Sequence, residues 1–266
     1  MDRHIWQSIT GFVSLQNYPT LPCPYCMNHS LSIDAKSISY RKAIHPEKSA
    51  ILAKEINSNR QDVSDAFKTN TFLGVLVGIG TILLNTKKAP AKFTCFFKCK
   101  NCGGDVSATG TSQHPISNQN PIDAPSLKVE YFSPPIPIFN ISSLVPIPVR
   151  EEVLQSFNHF HSDLSSSGAK LRRSIEKLCS ELGFKEKNLH CSISSMEKQF
   201  PEEADLLHSL KLLGNEATHS DSVNEEDLLD AFEVQEFVLG LFERIKDKKQ
   251  IADTANKLKQ KFNKTR

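Results

Sequence analysis

Two kinds of apolar spacing divide the chain. Before residue 115 the apolar positions come in short runs broken by Gly, Pro, Asn and Ser, and the stretch from Phe93 to Lys98 alternates as a strand does. After residue 150 the period becomes helical. Glu151 and Glu152 suit a first turn, and Val153, Leu154, Phe157, His161 and Leu164 follow at helical steps. Ser165, Ser166, Ser167 and Gly168 read as an interruption. A second stripe, Leu171, Ile175, Leu178 and Leu182, is stopped by Gly183. A third helix is predicted over 202–213, carrying Leu206, Leu207, Leu210 and Leu213, before a turn at Gly214-Asn215. The fourth starts near Ser222, where Ser-Val-Asn-Glu reads as a capping box, and runs through Leu228, Phe232 and Val238 to Phe242. Four such helices with short connections predict a small bundle.

Between the two patterns lie eight prolines from Pro115 to Pro148. Proline fixes φ and removes a backbone donor, so neither a long helix nor a central strand is expected there. Ile136, Ile138, Phe139, Ile141 and Leu144 among them suggest a strap laid over a domain rather than a free linker. The expected organisation is a zinc-ribbon-like region with an insertion over 1–114, the strap over 115–149, a helical bundle over 150–245 and a basic amphipathic tail over 246–266. The fold class is α+β.

Composition adds that the chain can build cores, because 39% of its 266 residues are hydrophobic. Charge is unevenly spread. Residues 1–149 hold 14 Lys/Arg and 9 Asp/Glu (+5), residues 150–240 hold 9 and 18 (−9), and residues 241–266 hold 9 and 3 (+6), which together give the net +2. In the tail, Ile251, Ala255, Leu258 and Phe262 form a stripe among lysines. It reads either as a solvated helix that frays or as a surface for acidic partners, nucleic acid or a membrane. Residues 72–84 are thirteen positions without charge. A bilayer span needs roughly 20, so a buried element is the first reading and a membrane contact the second.

The chain carries seven Cys and opens on a polar segment rather than a secretory signal, so a reducing, cytoplasmic setting is expected. Cys23-Pro-Tyr-Cys26 and Cys99-Lys-Asn-Cys102 are paired Cys-x-x-Cys motifs. Each spacing lets two thiolates meet one ion, and two such pairs complete the four-sulfur set of structural zinc. The 72 residues between Cys26 and Cys99 exceed the usual ribbon gap of roughly 15–20, which implies the insertion. A redox pair or unrelated thiols are the competing readings. Cys95 is a substitute ligand or, more simply, a buried strand residue, while Cys179 and Cys191 read as small core hydrophobes.

In the helical half, Arg172 and Arg173 stand four and three positions before Glu176, close enough to pair. His219 follows Gly214 and Asn215. Solvated ion pairs and a capping or core histidine are the plain reading. Three stretches carry a resemblance: Val-Pro-Ile-Pro-Val at 145–149, Gly-Ala-Lys-Leu-Arg-Arg-Ser-Ile-Glu-Lys-Leu at 168–178 and Leu-Gly-Asn-Glu-Ala-Thr-His at 213–219. In their order and spacing they resemble the family catalogued as domain of unknown function 4145. Members of that family often carry two N-terminal Cys-x-x-Cys pairs.

The family in turn resembles the HEPN helical superfamily, many of whose members are dimeric, metal-independent ribonucleases with an Arg, a polar residue and then a His. The resemblance implies Asn215 and His219 as the polar residue and the His, with Gly214 standing where the motif has Arg. Lys211, Arg173 or Arg172 would then have to supply the cation, with Glu176 beside them. The resemblance favours a non-catalytic HEPN-like interaction module that forms a homodimer or binds a protein partner, a nucleotide or RNA, in prokaryotic antiviral defence. The alternative is a ribonuclease using His219, in which His moves protons and a cation stabilises the phosphorane. The acidic bundle is a poor general surface for a polyanion, so RNA would need the local patch of Lys170, Arg172, Arg173 and Lys177. Membrane association is not expected.

Overall fold

A computed structural model describes residues 1–42, 89–114, 125–219 and 222–263. The uncharged run 72–84 and the insertion around it lie outside the described residues. The chain is α+β and divides into two compact units. One gathers residues 8–20 and 30–133, the other residues 1–7, 21–29 and 134–266.

The described strands are β1 (Val13–Ser14), β2 (Leu21–Pro22), β3 (His29–Ile33), β4 (Ser39–Lys42), β5 (Ala89–Cys99), β6 (Asp105–His114) and β7 (Ser126–Ser133). They follow the order β1-β7-β6-β5-β3-β2, with β4 also on β5, and the registered pairs are antiparallel. The alternation expected around Phe93 is present. Ala91, Phe93, Cys95, Phe97 and Cys99 are buried, while Lys92, Thr94, Phe96 and Lys98 face out. Phe97 stacks edge-on against Phe132 at 5.5 Å and Tyr18 at 5.6 Å, and Leu31, Val106, Leu127 and Val129 complete this core. At Gly110 the register shifts, and a Cβ there would stand 2.1 Å from the Lys128 carbonyl oxygen. Only glycine fits that approach.

The proline-rich stretch departs from expectation, because β7 runs through it between β1 and β6. The reason lies in the proline positions. Pro125 and Pro134 bracket β7, whose eight residues contain none, so every ladder donor is kept. Beyond Pro134, Ile136, Ile138 and Phe139 are buried, and the Ile138 carbonyl accepts from Trp6 Nε1 at 3.1 Å.

The helices are α1 (Arg3–Ser8), α2 (Ile147–Phe160), α3 (Leu164–Glu181), α4 (Leu189–Met196), α5 (Pro201–His219), α6 (Glu225–Leu239) and α7 (Leu241–Asn263). Phe139, Phe157, Phe160 and Phe232 interlock edge-to-face at 4.9–5.8 Å, and Leu171, Ile175, Leu178, Leu207 and Leu228 fill the space around them.

Four helices were expected after the strap, and six are present among the described residues. α2 starts before Glu151, with Pro148 in its first turn, where a missing N–H costs nothing. The serine run is not a break. Asp163 caps α3, and Ser167 and Gly168 are buried inside the helix, Ser167 exchanging hydroxyl–carbonyl bonds of 2.8 Å with Ser156. Gly183 does end this helical segment, with φ +88°. α4 is short and lies beyond the reach of periodicity. α5 continues through Gly214-Asn215 because Gly214 lets two helices touch. A Cβ at 214 would meet the Arg172 Cβ at 2.7 Å, and one at Gly168 would meet the Ala217 Cβ at 2.3 Å. The capping box of α6 is real but sits two residues later, at Asn224 and Asp227, while the Ser222 hydroxyl donates to Glu216 at 2.9 Å. Among the described residues no helix is long and apolar enough to cross a membrane.

Candidate functional site

Cys23 and Cys26 sit on the turn between β2 and β3, and Cys99 and Cys102 on the turn between β5 and β6. The two turns have the same backbone plan. The Met27 N–H bonds the Cys23 carbonyl at 2.8 Å and the Cys23 N–H bonds the Asn28 carbonyl at 2.9 Å. The Gly103 N–H bonds the Cys99 carbonyl at 3.0 Å and the Cys99 N–H bonds the Gly104 carbonyl at 2.9 Å. In both, the fourth residue after the first cysteine is left-handed, Met27 at φ +60° and Gly103 at φ +74°. Glycine adopts this at no steric cost, whereas Met27 carries roughly 1–2 kcal/mol of it. A methionine held there marks a turn imposed by its surroundings.

The four sulfurs lie within 4.8 Å of one another. A tetrahedral four-thiolate ion with metal–sulfur bonds of about 2.3 Å has sulfur–sulfur edges of about 3.8 Å, so the set fits with small adjustments. Donor chemistry agrees. Cys99 Sγ receives the Ser30 hydroxyl at 3.1 Å and the Cys102 N–H at 3.5 Å, and Cys26 Sγ receives the Asn28 amide at 3.7 Å. The Ser30 hydrogen bond first, then the Cys102 N–H, lowers the Cys99 thiol to about 6, which favours the thiolate that binds metal. Cys23 and Cys99 are buried, and Cys102 is exposed. Cys95 points into the strand core, and burial pushes its thiol up to about 12; Cys179 behaves the same way beside Met196. Neither is poised as a ligand. Ser30 had no signal in the sequence, because its role depends on β3 pairing with β5, Leu31 opposite Cys99.

The polar residues of the helical half are distributed rather than gathered. Arg172 Nε pairs with Glu176 at 3.5 Å, one turn along α3. Arg173 turns instead to Glu152, 3.3 Å away, and Lys170 takes the other oxygen of that carboxylate at 3.1 Å. Sequence gave no hint of Glu152 as the shared partner, since the two helices had to be packed first. Arg173 and Glu176 also line a cleft of about 570 Å³ with Lys177, Lys185 and Lys187. Asn215 is half-buried on α5, and its carbonyl accepts from the Thr218 hydroxyl at 2.8 Å. Lys211 is half-buried one turn earlier and has no ion pair among the described residues. His219 closes α5, four positions after Asn215; its side chain lies outside the described part.

No curated protein and no solved structure matches the chain. Residues 152–263 match the model of the family described as Domain of unknown function (DUF4145), a stretch running from α2 through α7. Over those residues the chain is similar to that family.

Proposed function

We propose that the helical region is a non-catalytic, HEPN-like interaction module, self-associating or binding a partner or nucleotide, in a chain that also carries a structural zinc centre. The observation that carries the first part is Gly214. A ribonuclease motif would place an arginine there, but position 214 is buried and its Cα faces Arg172, where even one added carbon falls 2.7 Å from a neighbour. Three of the nearby cations are already committed, Arg172 to Glu176 and Arg173 and Lys170 to Glu152, which leaves Lys211 as the one candidate without an ion pair among the described residues. Cations so engaged stabilise a developing phosphorane poorly, because the carboxylate cancels their field.

The zinc reading rests on two turns of one backbone plan whose four sulfurs converge. Four protein ligands leave no open coordination position, so the centre would be structural and not catalytic. Asn215 and His219, one turn apart on a single helix, favour ribonuclease as the second reading. Incubating the purified protein with total RNA in EDTA separates the two. The module reading expects no cleavage by wild type or His219→Ala; metal-independent cleavage lost in His219→Ala would replace it with the nuclease. The family resemblance carries the further proposal of a role in antiviral defence, which plaque counts with and without the protein would test.

A further inference from the structure

Of the 23 residues of α7, only Leu241 is buried. Ile251, Ala255, Leu258 and Phe262 recur at steps of four, three and four, so they share a face. The large ones are left open to water: Ile251 is 68% exposed, Leu258 54% and Phe262 64%. Such spacing is the seam of a helix that lies against other helices. Lys248, Lys249, Lys257, Lys259 and Lys261 surround it.

A groove of the opposite character runs between α5 and α6. Its volume is about 420 Å³, and Leu210, Leu213, Ala231 and Val234 line it. Glu216, Asp227 and Asp230 also line it, Asp230 already paired with Arg3. An apolar lining with the acids Glu216 and Asp227 complements an apolar stripe with basic flanks.

We propose that this groove receives α7 from a second copy of the chain. The idea rests on the module reading above and names the partner it would bind. The helix cannot reach its own groove as folded. Only Gly240, itself in helical conformation, separates it from α6, and from Leu241 to Asn263 it contains neither glycine nor proline at which to turn back. Two copies can exchange helices reciprocally, which closes a two-fold dimer. Pairing of two α7 seams with each other is disfavoured, since Lys259 and Lys261 flank the seam and would face like charges. The lengths suit: the α6 wall from Asp227 to Val234 is about 10 Å, room for Leu258 and Phe262 one turn apart.

The test is sedimentation of the full chain at low and high salt. Wild type should be a dimer that weakens as salt rises. Leu258→Glu/Phe262→Glu should be monomeric, with unchanged far-ultraviolet circular dichroism because both sites face water. Glu216→Lys alone, and Lys259→Glu/Lys261→Glu alone, should each lose the dimer. An equimolar mixture of those two should regain it as a heterodimer, because only the mixed pair matches charge at both grooves. A wild-type dimer indifferent to the tail changes, or a mixture that stays monomeric, would overturn the docking while leaving self-association standing. A wild-type monomer would overturn both.

Discussion

At the scale of single residues, close approach decides more here than side-chain chemistry does. Gly168 and Gly214 lie on facing helices and hold them near enough for Ala217 and Arg172 to touch the opposite backbone. Gly214→Ala should therefore cost about 1–3 kcal/mol in urea denaturation, although alanine is the better helix former. A gain in stability would mean that the contact is looser than the geometry says. Tyr18 makes the opposite case. Its hydroxyl is buried without a partner among the described residues, and burial raises its pKa. Tyr18→Phe should leave stability unchanged or raise it by up to about 1 kcal/mol, since only an unsatisfied group is removed. The same denaturation curves read both variants.

At the scale of elements, helix ends give a pH-dependent prediction. Asp163 caps α3, accepting from the Ser166 N–H at 3.0 Å and from the Ser166 hydroxyl. Those bonds, the hydroxyl first, hold its pKa below the ordinary value. A depressed folded-state pKa contributes stability that is present above the unfolded value, about 3.9, and is lost as pH falls through the folded one. Asp163→Ala should cost about 1 kcal/mol near neutral pH, and the gap to wild type should narrow below about pH 4. Asp163→Asn keeps an acceptor without the charge and should retain most of the cap at both pH values.

What could be read from sequence divides along similar lines. The alternation of Phe93 and Cys95, the stop at Gly183 and the paired Cys-x-x-Cys spacings depend on neighbours in the chain, and they reappear as expected. The continuation of α5 through Gly214, the burial of the Ser167-Gly168 pair and the placing of β7 between prolines depend on partners far along the chain. Periodicity carries no information about those partners. Glu152 shows the limit well: it looks like a first-turn acid until α2 packs on α3 and gives it Lys170 and Arg173.

At the scale of the whole molecule, the cysteines sort by environment into those that should hold metal and those that should not. Cys95 and Cys179 are driven towards the neutral thiol by burial, whereas Cys99 is drawn towards the thiolate by donors that aim at its sulfur. Four sulfurs converging within 4.8 Å form a donor set that one divalent ion would bridge, displacing the thiol protons as it binds. Because such a site does not exist in the unfolded chain, metal affinity adds directly to folding stability. Elemental analysis of protein purified without chelator should find about one zinc per chain. Cys23→Ser or Cys99→Ser should lose it, while Cys179→Ser should keep it. Strong chelator should lower the melting temperature of wild type and leave Cys99→Ser, already without metal, where it was. Alkylation would then separate the thiols: the four clustered cysteines should become reactive once chelator is added, and Cys95 and Cys179 only on unfolding. Zinc retained by Cys99→Ser, or a melting temperature indifferent to chelator, would remove the ion from this account and leave two matching turns without a common cause.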